Sequence, residues 1–144
     1  MLVEQSRRRS SIFEKSKKTL QETIEKVVLL IKTKRVYELP SKDDGYRILI
    51  DRLWPRGMSK EKAKLDIWMK EIAPSDELRK RFCHDPQKWE EFQREYRKEL
   101  LAKANLIKQI RQFEEERGTV TLIFSTKEAE HNNAIALKNF LETE

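Results

Sequence analysis

Tyr46-Arg47-Ile48-Leu49-Ile50-Asp51-Arg52-Leu53-Trp54-Pro55-Arg56-Gly57 is the stretch from which this 144-residue chain is best read. A short apolar run, Ile48 to Ile50, stops at an acid, and two arginines, a tryptophan and a Pro/Gly turn follow. The run is too short for a helix and is rich in β-branched residues, so it predicts a buried strand. Pro55 cannot donate to a strand ladder and Gly57 accommodates the turn, so the strand ends before them. In open α/β sheets, ligands bind in the crevice beyond the carboxyl ends of the strands. Asp51, Arg52 and Arg56 are expected there.

Outward from that strand, Thr119 to Ser125 is the second clear strand, β-branched and aromatic throughout. Leu29 to Leu39 reads as a further strand with Ile31, Thr33, Arg35, Tyr37 and Leu39 on one side. The turn Pro40 to Gly45 is short for a parallel crossover. It makes either an antiparallel hairpin or a link between non-adjacent strands. Ser59 suits a helix N-cap, and Leu65, Trp68, Met69 and Ile72 follow at helical spacing, predicting a helix that Ala73-Pro74 ends. Ser75-Asp76-Glu77 opens a short helix with Leu78 and Phe82. Asp85-Pro86 starts a long one with Trp89, Phe92, Tyr96, Leu100, Ile107 and Ile110 as its buried stripe. A break is expected near Ala102-Lys103-Ala104-Asn105, and Gly118 suits the C-terminal cap. Ser125 and Glu128 have capping-box spacing for a last helix that buries Ala134, Leu137 and Leu141, with Ile135 and Phe140 as further candidates.

Composition bounds the function. The length fits one folded domain. The net charge is +6, but residues 1–35 carry ten Lys/Arg against four Glu, so the remainder is formally neutral. A nucleic-acid-binding face on the folded body would be basic. Residues 1–28 read as a separate segment: a basic tail, then an amphipathic helix with Phe13, Leu20, Ile24, Val27 and Val28 on a narrow stripe. That stripe suits self-association, and its charge suits nucleic acid. No apolar run approaches the roughly 20 residues of a membrane span. The single cysteine, Cys83, excludes an internal disulfide and fits a reducing cytoplasm.

Two polar clusters follow the two best strands: Asp51, Arg52, Trp54 and Arg56 in one, Ser125 through Glu130-His131-Asn132 in the other. Parallel strands would bring both to one edge. Arg52 and Arg56 then suit an oxyanion, Asn132 adds a donor, and Trp54 covers the edge or stacks on a ligand. Asp51 and His131 are the candidate acid–base groups. The structural alternative pairs Asp51 with Arg52 or Arg56 to fix the turn. Cys83-His84-Asp85 is a poor nucleophile–base arrangement, because sequence neighbours point apart; Asp85 is read as a cap and His84 as a loop hydrogen-bonder or ligand contact. Two histidines and one cysteine are too few for a structural zinc site, and three glycines leave no phosphate-binding loop.

DGYRILIDRLWPRG, KLDIWMKEIAPSDELRKRF, HDPQKWEEFQREYRKEL and TLIFSTKEAEHNNAIAL, in uninterrupted order from about Leu30 to Leu141, resemble the YeaO-like proteins. That group of small microbial proteins lies within a larger domain family of unknown function. The resemblance implies a three-layer α/β domain over residues 29–144, with a small, mainly parallel sheet and helices on both faces, in a cytoplasmic protein without established activity or cofactor. Its recurrent polar positions correspond to Asp51, Arg52, Arg56, His84, Asp85, His131 and Asn132. It also implies glycine where this chain has Cys83. The expected function is binding of an anionic small molecule, a phosphate ester or nucleotide, with hydrolysis or group transfer as its extension. The alternatives are a nucleic-acid-associated module and a self-associating scaffold acting through residues 11–28.

Overall fold

A computed structural model describes residues 29–143. The basic tail, the amphipathic helix and the boundary at residue 28 expected from the sequence lie outside the described residues. Four strands form one sheet: β1 (Leu30–Arg35), β2 (Tyr46–Leu49), β3 (Ile67–Trp68) and β4 (Thr119–Phe124). Their order is β1-β4-β2-β3, with β2 parallel to both its neighbours. At the far side, the Val36 N–H donates to the Phe124 carbonyl at 2.7 Å, so the carboxyl ends of β1 and β4 meet.

This order settles the question left open at Pro40–Gly45. The loop links non-adjacent strands, because β4 lies between β1 and β2. Gly45, at φ +63°, passes so close to β4 that a Cβ would stand 2.2 Å from the Thr119 carbonyl oxygen. Only glycine fits there.

Alternation along β2 and β4 sorts side chains between two unequal faces. Ile48, Ile50, Val120, Leu122 and Phe124 join the main core. It is covered by α2 (Asp76–Phe82), α3 (Trp89–Leu101), α4 (Ala104–Arg117) and α5 (Asn133–Thr143). Leu49 and Ile123 face the other way, onto Val36 and onto Ala63 of α1 (Lys60–Ala63), with Trp54, Met58 and Leu65 around them. The domain is therefore α/β with helices on both faces, but the second helical layer is a single turn.

Several elements follow their sequence signals. Ser75 accepts the Leu78 N–H and starts α2, and the long helical pattern breaks at Ala102-Lys103 into α3 and α4. Gly118 ends α4 at φ +81°. Cys83, at φ +48°, caps α2 in the left-handed region, a conformation that glycine adopts most readily.

Three expectations are corrected. The first strand stops at Arg35, and Leu39 is 85% exposed. The helix expected through Leu65 and Ile72 is only the turn α1. Lys64 leaves it at φ +47°, and Ile67-Trp68 forms the edge strand β3. Backbone pairing decides this: Asp66 N donates to the Arg47 carbonyl and Met69 N to that of Leu49. Trp68 consequently lies partly on the surface rather than on a buried helix face. Finally, the last helix starts at Asn133, not near Ser125, because Ser125 is drawn away by Asp51.

Candidate functional site

Asp51 follows β2 at the carboxyl edge of the sheet and acts as a bridge. One carboxylate oxygen accepts the Ser125 N–H at 2.9 Å and the Ser125 hydroxyl at 2.8 Å. The other accepts the Asn133 amide at 3.2 Å. The acid thus ties the end of β2 to the end of β4 and to the first residue of α5. Arg35 reinforces the same corner: its Nε donates to the Ser125 and Thr126 carbonyls at 3.0 and 2.9 Å. The three long strands β1, β2 and β4 therefore send polar side chains to one edge.

Arg52 does not pair with Asp51. Its half-buried guanidinium turns the other way and donates through Nη2 to the carbonyls of Ala73 and Pro74, at 3.3 and 3.2 Å. Arg56 is exposed, and its contact is through the backbone, where its carbonyl accepts the Tyr37 hydroxyl at 2.6 Å. Neither arginine makes an ion pair among the described residues. The alternative in which Asp51 and an arginine clip the turn together does not hold. Each fixes a different neighbour instead. Trp54 closes the turn, its indole N–H donating to the Met58 carbonyl at 2.6 Å while its ring meets Trp68 edge-on. The Trp68 indole in turn donates to the Asp51 carbonyl at 2.7 Å.

The second cluster lies in the loop between β4 and α5. Asn132 is fully buried and caps α5: its Oδ1 accepts the Ile135 N–H, and its Nδ2 donates to the Glu128 carbonyl. Both halves of its amide are used, as burial requires. The Glu128 carboxylate accepts the N–H groups of His131 and Glu130, which hold its pKa below the usual carboxylate range. The His131 ring stands 3.8 Å from that carboxylate and meets Trp89 edge-on. His84, itself at φ +57°, donates from Nδ1 to the His131 carbonyl at 3.2 Å. The two histidines are therefore neighbours, although 47 positions apart. Asp85 caps the turn Pro86–Lys88. Among the described residues no hydrogen bond or ion pair joins the Arg52 group to the His84–His131 group, and no cluster of metal-ligating side chains is present.

One neighbour of Arg52 escaped the sequence reading. Lys103, in the break between α3 and α4, donates to the Ala73 carbonyl at 3.0 Å, the acceptor Arg52 also uses. Tyr96 donates to the Ile72 carbonyl at 2.6 Å, and Glu99 accepts the Ser75 N–H and hydroxyl at 2.9 and 2.6 Å. Tyr96 and Glu99 share one side of α3 at i and i+3, extending the buried stripe of Phe92, and Lys103 follows at i+7 in the break. That continuation was the available signal. Burial lowers the Lys103 pKa, with Glu99 opposing and Arg52 adding to the effect. Burial also raises the Tyr96 pKa, with smaller contributions from Glu99 and Asp51 that Arg52 offsets.

Residues 30–144 match the model of a family described as the inactive DUF488-N3 subclade. The chain is 40% identical to the uncharacterized protein YeaO of Escherichia coli over 113 residues, 78% of this chain and 97% of that one. The chain belongs to the YeaO-like family. It is also 37% identical, over 111 residues, to the uncharacterized proteins Mb3100c of Mycobacterium bovis and Rv3073c of Mycobacterium tuberculosis. Those matches cover 77% of this chain and 92% of each relative. No solved structure matches significantly. The domain shared with these YeaO-like relatives carries the whole carboxyl edge just described. Among the described residues no helix is long and apolar enough to cross a membrane.

Proposed function

We propose that the carboxyl edge of this sheet binds the oxyanion of a small molecule, a phosphate ester or nucleotide, with Arg52 as its principal cation. The supporting observation is how Arg52 is held. Two neutral carbonyls orient it, and no carboxylate of the described residues pairs with it, so its charge is positioned but not neutralised. A planar guanidinium retaining N–H donors is suited to oxyanions. Arg56, exposed in the same turn, adds charge at the rim. His84 and His131, which contact each other, are the further candidates for a nucleotide's remaining contacts.

The reading is binding without turnover. Asp51, the candidate base, has both oxygens engaged by three donors. Held in this way the carboxylate joins strand ends rather than standing free to take a proton. The word inactive in the family's description points the same way. Titration of the full-length protein with inorganic phosphate and with AMP, followed by amide NMR, tests the site. Shifts around Arg52, Ala73 and Ser75 are expected, and Arg52→Ala should lose them while keeping the fold. Equal binding by that variant overturns the proposal.

The charge surplus of residues 1–35 supports one other reading, contact with nucleic acid through that segment. Salt-dependent retention on heparin that vanishes on deleting residues 1–28 would favour it.

A further inference from the structure

We propose that this edge of the sheet is built for a dianion, the terminal group of a phosphate monoester, gripped between Arg52 and Lys103 rather than held by Arg52 alone. This rests on the oxyanion reading above and names the ligand class it takes.

The observation is a mismatch between charges and their partners. Arg52 Nη2 and Lys103 Nζ donate to one and the same oxygen, the Ala73 carbonyl, at 3.3 and 3.0 Å. Two cations are thus brought together over a neutral acceptor. Neither has a carboxylate within ion-pair distance among the described residues. Of the neighbouring carboxylates, Glu99 is engaged by the N–H and hydroxyl of Ser75 and Asp51 by Ser125 and Asn133, while the exposed Glu71 acts on Lys103 from beyond ion-pair distance. Acids meet uncharged donors here, and bases meet uncharged acceptors.

Like charges in a partly buried setting disfavour one another. Burial of Lys103 acts most strongly against its ammonium form and the nearness of Arg52 adds to that, while Glu99 and Glu71 oppose it. A bound anion would reverse that pressure. Spare donors fit the same picture: an ammonium has three N–H groups and a guanidinium five. Among the described residues Lys103 has one protein acceptor and Arg52 two. A phosphate monoester offers three acceptor oxygens and two negative charges. A carboxylate or a phosphodiester supplies one charge and would leave one cation uncompensated.

Binding of inorganic phosphate and phenyl phosphate, both dianions at pH 8, is compared with that of dimethyl phosphate and acetate. The full-length protein, Arg52→Ala, Lys103→Gln and Lys103→Arg are titrated by calorimetry at low ionic strength. Loss of one charge-assisted contact corresponds to about a tenfold change. The wild type should prefer the dianions by at least that factor. Lys103→Gln should erase the preference by weakening dianions alone, and Lys103→Arg should restore it. If Lys103→Gln does not fold, the wild-type Lys103 side chain is followed by NMR, and phosphate must raise its titration midpoint. Wild type that binds both classes equally, or a midpoint unmoved by phosphate, overturns the dianion inference while Arg52→Ala still reports the simpler site. Wild type that binds no oxyanion overturns both.

Discussion

Each end of β2 carries an acid and an arginine, and the fold uses the two sets in opposite ways. Where the strand begins, Asp44 and Arg47 close on each other at 2.6 Å, exposed by only 2% and 4%. The remaining Arg47 donors reach the Ala63 and Lys64 carbonyls, while the second Asp44 contact is Lys34. After the strand, Asp51 and Arg52 turn apart, the acid to hydroxyl and amide donors, the base to carbonyls. The first set locks the loop before β2 against α1 and is electrically complete. The second positions a charge without cancelling it. An identical residue pair is therefore a clamp where its members meet in the interior. It becomes a candidate site where a loop separates them at the edge.

The contrast breaks most visibly at the clamp. Arg47→Met should cost about 3–5 kcal/mol, because buried Asp44 would keep Lys34 as its counter-charge and the Ala63 and Lys64 carbonyls would lose their donor. Urea unfolding measures this, and a loss under 1 kcal/mol would make the clamp no more than a surface pair. Asp51→Ala comes next at about 2–3 kcal/mol, since three donors lose their acceptor in a partly exposed place.

Acid distinguishes the ends as well. Burial by itself raises the Asp44 pKa, but the Ser41 N–H, Lys34 and Arg47 outweigh it and hold the carboxyl below its usual range. A carboxyl with a depressed folded pKa contributes stability above its unfolded value and loses it as pH falls through the folded one. Wild type should therefore lose stability faster than Asp44→Asn between about pH 4 and pH 2. Parallel unfolding curves in that window would break the argument. The smallest effect on stability belongs to Arg52→Ala, about 1 kcal/mol or less. That variant should nevertheless remove phosphate binding. Stability lost without any binding phenotype would make the two ends of β2 alike after all.

Much of the frame was legible in the residues. Ile48–Ile50 and Thr119–Phe124 are buried strands because an apolar, β-branched run has no other way to hide both faces. The break at Ala102-Lys103 and the helix start at Ser75 carry their own local chemistry. The edge strand Ile67-Trp68 was hidden because Leu65, Trp68, Met69 and Ile72 happen to fall at helical spacing. Their true partners, the backbone groups of Arg47 and Leu49, are nearly twenty positions away. The start of the last helix was misplaced for a related reason. Ser125 has the composition of a cap, yet its hydroxyl finds Asp51, 74 positions distant, and Asn132 caps instead.

From its residues alone the chain specifies an α/β domain in which two strands end in polar loops and Arg52 stands in one of them. Those properties depend on periodicity and on turn chemistry, which are local. Tertiary structure alone decided that β4 separates β1 from β2, that Asp51 binds Ser125 rather than Arg52, and that Lys103 shares a carbonyl with Arg52. Each of these is a choice among partners distant along the chain. A side chain's residue type limits which hydrogen bonds it can make, but packing decides which acceptor lies within 3 Å.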